Sequence, residues 1–126
     1  MKYLLDVNVL IAWRHTHHTH HDKFHAWAVR AGFDNMSTCA HSELGFLRVS
    51  MQALGLTRRE ADEALDDIRK LVGGYVANCP RPKLAKWAVT GAKTTDAYLC
   101  QLAAAHKMQL ATFDSDIKDA AAFLIP

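Results

Sequence analysis

The sequence predicts an α/β fold with a central parallel sheet covered by helices on both sides, and three observations predict it. Short apolar runs that read as strands alternate with longer, Gly-punctuated segments that read as helices. The first run, Lys2-Tyr3-Leu4-Leu5-Asp6-Val7-Asn8-Val9-Leu10-Ile11, is apolar at nearly every position and interrupted by Asp6 and Asn8, which suits a central strand buried on both faces. The chain has 126 residues, half of them hydrophobic, enough for the core of one domain spanning residues 1–126.

In order, residues 2–7 read as a strand. A polar segment, 14–22, leads into a helix over 22–31 that ends at Gly32. Residues 35–38 form a short strand, and a helix over 40–53 stops near Gly55. Thr57-Arg58-Arg59-Glu60 is a capping box, in which Thr57 accepts from the Glu60 backbone and Glu60 reaches back. The helix it starts runs to about Val72 and is closed by Gly73-Gly74. Tyr75 to Cys79 reads as a strand, and Pro82 opens a short helix through Trp87 and Val89 that ends at Gly91. Thr95 caps a helix from Asp96 to His106. Gln109 to Phe113 is the last clear strand, and Ile117 to Pro126 is a short helix or turn plus tail. The count is four strands, or five with one near the C-terminus.

Two of the strand-like runs end in an acid, Asp6 and Asp114. Open α/β sheets bind ligands at the carboxyl ends of their strands. Glu43 and Asp96 stand at helix starts that belong on the same edge. Clustered carboxylates repel one another unless a cation holds them, and an all-oxygen donor set suits Mg²⁺ or Mn²⁺. Each acid also has a plainer reading. Asp6 can form a turn or cap the next helix, with Asn8, of the same parity along a strand, orienting it. Glu43 continues the apolar stripe of Leu47, Met51 and Leu54, where the helix dipole favours an acid. Asp96 can be a first-turn acid beside the Thr95 cap. Asp114 can make a turn at a strand end, and Asp116 is either a further site acid or a solvated loop residue.

These residues resemble the PIN-domain proteins, and among them the VapC-type toxin ribonucleases of bacterial toxin–antitoxin pairs. The resemblance covers nearly the whole chain. It rests on Leu5-Asp6-Val7-Asn8-Val9-Leu10-Ile11, Ser42-Glu43-Leu44-Gly45-Phe46-Leu47-Arg48, Thr95-Asp96-Ala97-Tyr98-Leu99 and Leu110-Ala111-Thr112-Phe113-Asp114-Ser115-Asp116, in that order. It implies a PIN-like three-layer α/β/α fold and hydrolysis of RNA phosphodiester bonds with Mg²⁺ or Mn²⁺. By resemblance Asp6, Glu43, Asp96 and Asp114 are the catalytic acids. Asp6, Asp96, Asp114 and secondarily Asp116 hold metal, and Asn8, Thr95 and Thr112 support them. Two ions about 3.5–4 Å apart can activate a water and stabilise the leaving oxygen, leaving a 5′-phosphate and a 3′-hydroxyl. The implied partners are RNA, a cognate VapB-type antitoxin lying over the acidic pocket, and a second copy in a homodimer.

The net charge is +2, but setting aside those four acids leaves nine acids against fifteen Lys and Arg, about +6. Such a surface either draws a polyanion towards an acidic pocket or is simply basic and soluble. Arg58, Arg59, Arg69, Lys70, Arg81, Lys83, Lys86 and Lys93 bracket the middle of the chain, as phosphate contacts or as solvated helix faces. Five of eight histidines fall in Arg14-His15-Thr16-His17-His18-Thr19-His20-His21, with His25 one turn on. Helical pairs such as His17/His21 or His21/His25 can bind Zn²⁺ or Ni²⁺. The plainer reading is a polar loop and helix start, and contact with RNA or a partner is a third. Trp13, Trp27 and Trp87 are expected in the core or an interface. Cys39, Cys79 and Cys100, an odd count without metal spacing, are expected as reduced, buried thiols, which fits a cytoplasmic protein. No stretch approaches the ~18–20 apolar residues of a membrane span, and none has the pattern of a signal peptide.

Other readings remain in view. One is a catalytically silent PIN module that binds RNA or a partner. Another is a haloacid-dehalogenase-like phosphohydrolase, which also begins with an Asp after its first strand. That class needs a second Asp two residues on, where this chain has Asn8, and a Lys near the third motif, for which Lys93 stands close before Asp96. A receiver domain is excluded, because Asp6 lacks the paired acid such a site wants.

Overall fold

The computed structural model describes residues 1–126. Five strands, β1 (Tyr3–Leu5), β2 (Met36–Cys39), β3 (Gly74–Val76), β4 (Gln109–Thr112) and β5 (Ala122–Leu124), form one sheet in the order β3-β2-β1-β4-β5. Every pairing is parallel. The helices are α1 (Val7–Arg14), α2 (His21–Ala31), α3 (Ala40–Gln52), α4 (Arg58–Arg69) and α5 (Thr94–Ala105). Short 3₁₀ turns lie at Phe33–Asn35 and Gly91–Lys93.

Alternation along β1 and β4 splits the core in two. Leu5 and Ala111 join α1, α2, α3 and α4 in one apolar cluster, with Trp13, Phe24, Trp27 and Phe46. Leu4 and Leu110 face the other way, into a cluster built on α5 through Tyr98, Leu99, Leu102 and Ala103. This is the expected three-layer α/β/α arrangement. Successive strand residues point to opposite faces, so a sheet with helices on both sides must be apolar at nearly every strand position.

The largest departure from the sequence reading is near the N-terminus. The strand stops at Leu5, and Val7–Arg14 is a helix. Val9, Leu10, Ile11, Ala12 and Trp13 are all buried, so α1 has no polar face and shows no helical period. The helix packs tightly on α3: a Cβ at Gly45 would run into the Val7 side chain.

Other boundaries moved less. The capping box holds, with Glu60 N–H donating to Thr57 Oγ1 at 3.1 Å and Thr57 N–H donating to Glu60 Oε1 at 2.9 Å, and α4 ends at Arg69. The strand expected over 75–79 is the shorter Gly74–Val76. Helix α5 starts two residues earlier than expected, at Thr94 with Lys93 at the cap position, so Thr95 lies inside the first turn and caps nothing.

No helix forms over 82–90. That segment is tied to its neighbours instead. Lys83 N–H donates to Gln101 Oε1 (2.7 Å), Gln101 Nε2 donates to Arg81 O (2.9 Å), and the Trp87 indole donates to Asp119 (2.8 Å). Near the C-terminus, β5 replaces the expected short helix or turn and completes five strands. Cys39 and Cys100 are buried free thiols, but Cys79 is exposed. Trp13 and Trp27 lie in the core, and Trp87 is half-buried at its edge. No helix is long and apolar enough to cross a membrane.

Candidate active site

The central strands β1 and β4 deliver the site. Asp6 follows β1 directly, its backbone N–H still donating to Ala111 O of β4 at 3.0 Å. Its extended backbone makes it the N-cap of α1, and Oδ1 accepts from Val7 N–H at 2.8 Å. Asp6 is therefore a helix cap as well as a candidate site acid. Its other oxygen, Oδ2, accepts from the Thr112 hydroxyl at 2.8 Å.

Thr112 is the hub. While donating to Asp6, Oγ1 accepts from Asn8 Nδ2 (3.3 Å) and from the backbone N–H of Asp114 (3.0 Å). Asn8 Oδ1 accepts from Phe113 N–H at 3.2 Å. Asn8 thus braces the acids from the first turn of a helix, not from a strand. Its amide is engaged at both ends, donating to Thr112 and accepting from Phe113, so it serves as a brace and not as an acid. Asp114 Oδ1 accepts from Asp116 N–H at 2.9 Å, the expected turn at a strand end.

Asp96 comes from the first turn of α5. It lines a pocket of about 370 Å³ together with Asp6, Asn8, Thr95, His18 and Arg48. An adjoining pocket of about 190 Å³ shares Asp96 and adds Asp114, Asp116, Lys93 and Trp87. Thr95 faces the first pocket without a hydrogen bond to the acids, and Asp116 is exposed at the rim.

Burial pushes the Asp6 carboxyl up from 3.8 to about 6, and the charges of Asp96 and Asp114 add to that rise. Its bonds from Thr112 and Val7 pull the other way. The Asp96 carboxyl is also raised, by burial first and then by Asp114. No Lys, Arg or His forms an ion pair with any of these three.

Glu43 lies apart. It is buried on α3 in a separate pocket lined by Thr38, Arg69 and Gly73–Tyr75. Thr38 donates to Oε2 at 2.6 Å, and Arg69 donates two bonds to Oε1, at 3.0 and 2.6 Å. The structure therefore gathers Asp6, Asp96, Asp114 and Asp116 and leaves Glu43 in its own ion pair.

No three His, Cys, Asp or Glu side chains converge as a ready-made metal cage. Mg²⁺ needs no such cage, since it keeps several waters and takes only one or two carboxylates. Asp6, Asp96 and Asp114 are hard oxygen donors that make no ion pair within the chain, and they fit a hydrated divalent ion of that kind.

The histidines are mostly fastenings. His15 Nε2 meets Ser50 Oγ at 3.2 Å, His21 Nδ1 meets Ala12 O at 2.7 Å, and His25 Nε2 meets Trp13 O at 3.2 Å. His20 stacks on Phe113 with ring centres 4.5 Å apart. Two further residues line the acid pocket: His18, read from the sequence only as part of a histidine segment that could contact RNA or a partner, and Arg48, given no site role there. Arg48 stands within the second quoted motif, and five residues on a helix place it about 140° round from Glu43, on another face.

Comparison with known proteins agrees with this architecture. The PIN domain family matches residues 3–122. The chain is 34% identical over 127 residues to Ribonuclease VapC29 of Mycobacterium tuberculosis (strain H37Rv), covering 93% of this chain and 89% of that one. Ribonuclease VapC38 and Ribonuclease VapC44 of the same strain are 28% and 29% identical, over 90% and 93% of this chain and 86% and 89% of theirs. The chain belongs to the PIN-domain family, and within it is similar to members named as VapC ribonucleases.

Proposed function

We propose that this protein is a Mg²⁺- or Mn²⁺-dependent endoribonuclease, the toxin of a toxin–antitoxin pair, acting in the cytoplasm and held silent by a VapB-type antitoxin. The observation that carries the reading is the trio Asp6, Asp96 and Asp114, gathered at the carboxyl edge of the central strands with none of them ion-paired. The names of the relatives, ribonucleases of the VapC type, support the RNA substrate and the toxin–antitoxin setting; the homodimer rests on the resemblance alone.

In this proposal Asp6, Asp96 and Asp114 hold the ion, with Asp116 at the rim. The ion, when bound, supplies charge stabilisation for the attacking water and for the oxygen that leaves. Thr112 fixes the Asp6 carboxylate by donating to it, and Asn8 fixes Thr112, so the acids are positioned before substrate arrives. Water attacks the phosphorus, the bond to the 3′-oxygen breaks, and the products carry a 5′-phosphate and a 3′-hydroxyl. Glu43, proposed as the fourth acid on the family pattern, would join the others only by exchanging Arg69 for the ion.

Cleavage of total RNA by antitoxin-free protein, with Mg²⁺ or Mn²⁺ and with EDTA, beside Asp96→Asn, tests this. Discrete fragments that need the metal and disappear in the variant are expected. Equal cleavage by both proteins, or none by the wild type, would move the reading to a silent module that binds RNA or a partner.

A further inference from the structure

The acid pocket has a cationic side that the acids do not use. Arg48 of α3 and His18 of the loop before α2 line the same pocket as Asp6 and Asp96. Arg14, Arg58, Arg59 and Arg69 are each tied to a carboxylate. Arg48 is exposed and makes neither an ion pair nor a hydrogen bond within the chain, so its guanidinium is free for an anion.

His18 is set up as a donor. Its Nδ1 accepts from the His20 backbone N–H at 3.0 Å. The neutral ring therefore carries its proton on Nε2, which has no partner in the chain. The loop that presents it is fastened on both sides, by His15 to Ser50 and by His21 to Ala12, and His20 is stacked on Phe113. A donor fixed in this way loses little freedom on binding.

We propose that Arg48 and the Nε2–H of His18 form a phosphate-binding arm that grips the RNA backbone phosphate beside the one that is cut. The proposal rests on the ribonuclease reading of the acid pocket and adds two positioning residues to it. A polyanion entering a pocket of uncompensated acids is repelled. A guanidinium at the pocket wall offsets that repulsion and offers paired N–H donors matched to phosphate oxygens. The His18 N–H adds direction without adding charge.

The test measures binding of a short fluorescent single-stranded RNA of random sequence across a salt series, in an Asp96→Asn background with Mg²⁺. Alongside it, KM and kcat for RNA cleavage are measured in otherwise wild-type protein. Arg48→Ala should weaken binding several-fold and lower the log–log salt slope by about 0.7, the value for one phosphate contact on a single strand. Arg48→Lys should restore the slope, and Arg59→Ala, whose partner is Glu63 outside the pocket, should leave it alone. His18→Ala should weaken binding without altering the slope, and His18→Gln, which keeps an N–H at the same reach, should recover it. In cleavage both alanine variants should raise KM more than they lower kcat. An unchanged slope and KM in Arg48→Ala, while wild type still binds and cleaves RNA, would overturn the arm and leave the ribonuclease reading intact. Absence of RNA binding by the parent and of cleavage by the wild type would overturn both.

Discussion

Asp6 and Glu43 are both buried acids near the carboxyl ends of neighbouring strands, and the structure treats them in opposite ways. Glu43 has a guanidinium, two bonds from Arg69 and one from Thr38. Asp6 has a hydroxyl and a backbone N–H, and its charged neighbours are two more acids. A buried charge with a partner of opposite sign supports the fold. One surrounded by its own sign weighs against it until a cation arrives. The contrast separates a buried acid that is paired within the chain from one whose charged neighbours are acids, where the proposed ion would sit.

The largest expected effect tests that assignment on activity. Asp6→Asn should lower the rate of RNA cleavage by about 10²-fold or more, as expected for losing charge from a preorganised site, with near-unchanged circular dichroism. A variant that cleaves at the wild-type rate would show that the unbalanced acids are not the reacting centre.

The second effect is on stability and its pH dependence. The folded Asp6 takes up a proton more readily than the unfolded chain, about 6 against 3.8. Its favourable contribution is therefore complete below pH 3.8 and is lost as the pH rises through about 6. Without divalent metal, wild type should lose on the order of 2–3 kcal/mol from this group over that window, relative to Asp6→Asn. Mg²⁺ should return part of that loss at neutral pH. Chemical denaturation of both proteins at pH 4, 6 and 8 measures it, and parallel pH profiles would contradict the buried, uncompensated state of Asp6.

The third and smallest effect has the opposite sign. Glu43→Gln should destabilise the protein by about 1 kcal/mol, a modest figure because Arg69 is half exposed and stays solvated when its partner is lost. A Glu43→Gln variant more stable than wild type at neutral pH would place Glu43 with the other acids and remove the contrast.

Much of this was legible in the chain. Apolar runs ending in acids marked β1 and β4, the capping box marked α4, and the glycines marked helix ends. Four motifs in order marked the family. Helix α1 was not legible, because a helix buried all round loses the period that identifies one. The segment over 82–90 read as helical by composition, yet bonds to Gln101 and Asp119 hold it otherwise.

The sequence by itself determined the class of fold, most of its strands and helices, and the apolar runs of β1 and β4 that are buried. Those follow from periodicity and capping, which act over a few residues. Only the tertiary structure decided which buried groups meet. Thr112 reaches Asp6 from 106 residues away and Arg69 reaches Glu43 from 26. Similar local patterns place Asp6 and Glu43 near the ends of neighbouring strands. The partner each finds there depends on how helices from distant parts of the chain pack, and that pairs Glu43 with Arg69 and leaves Asp6 beside two more acids.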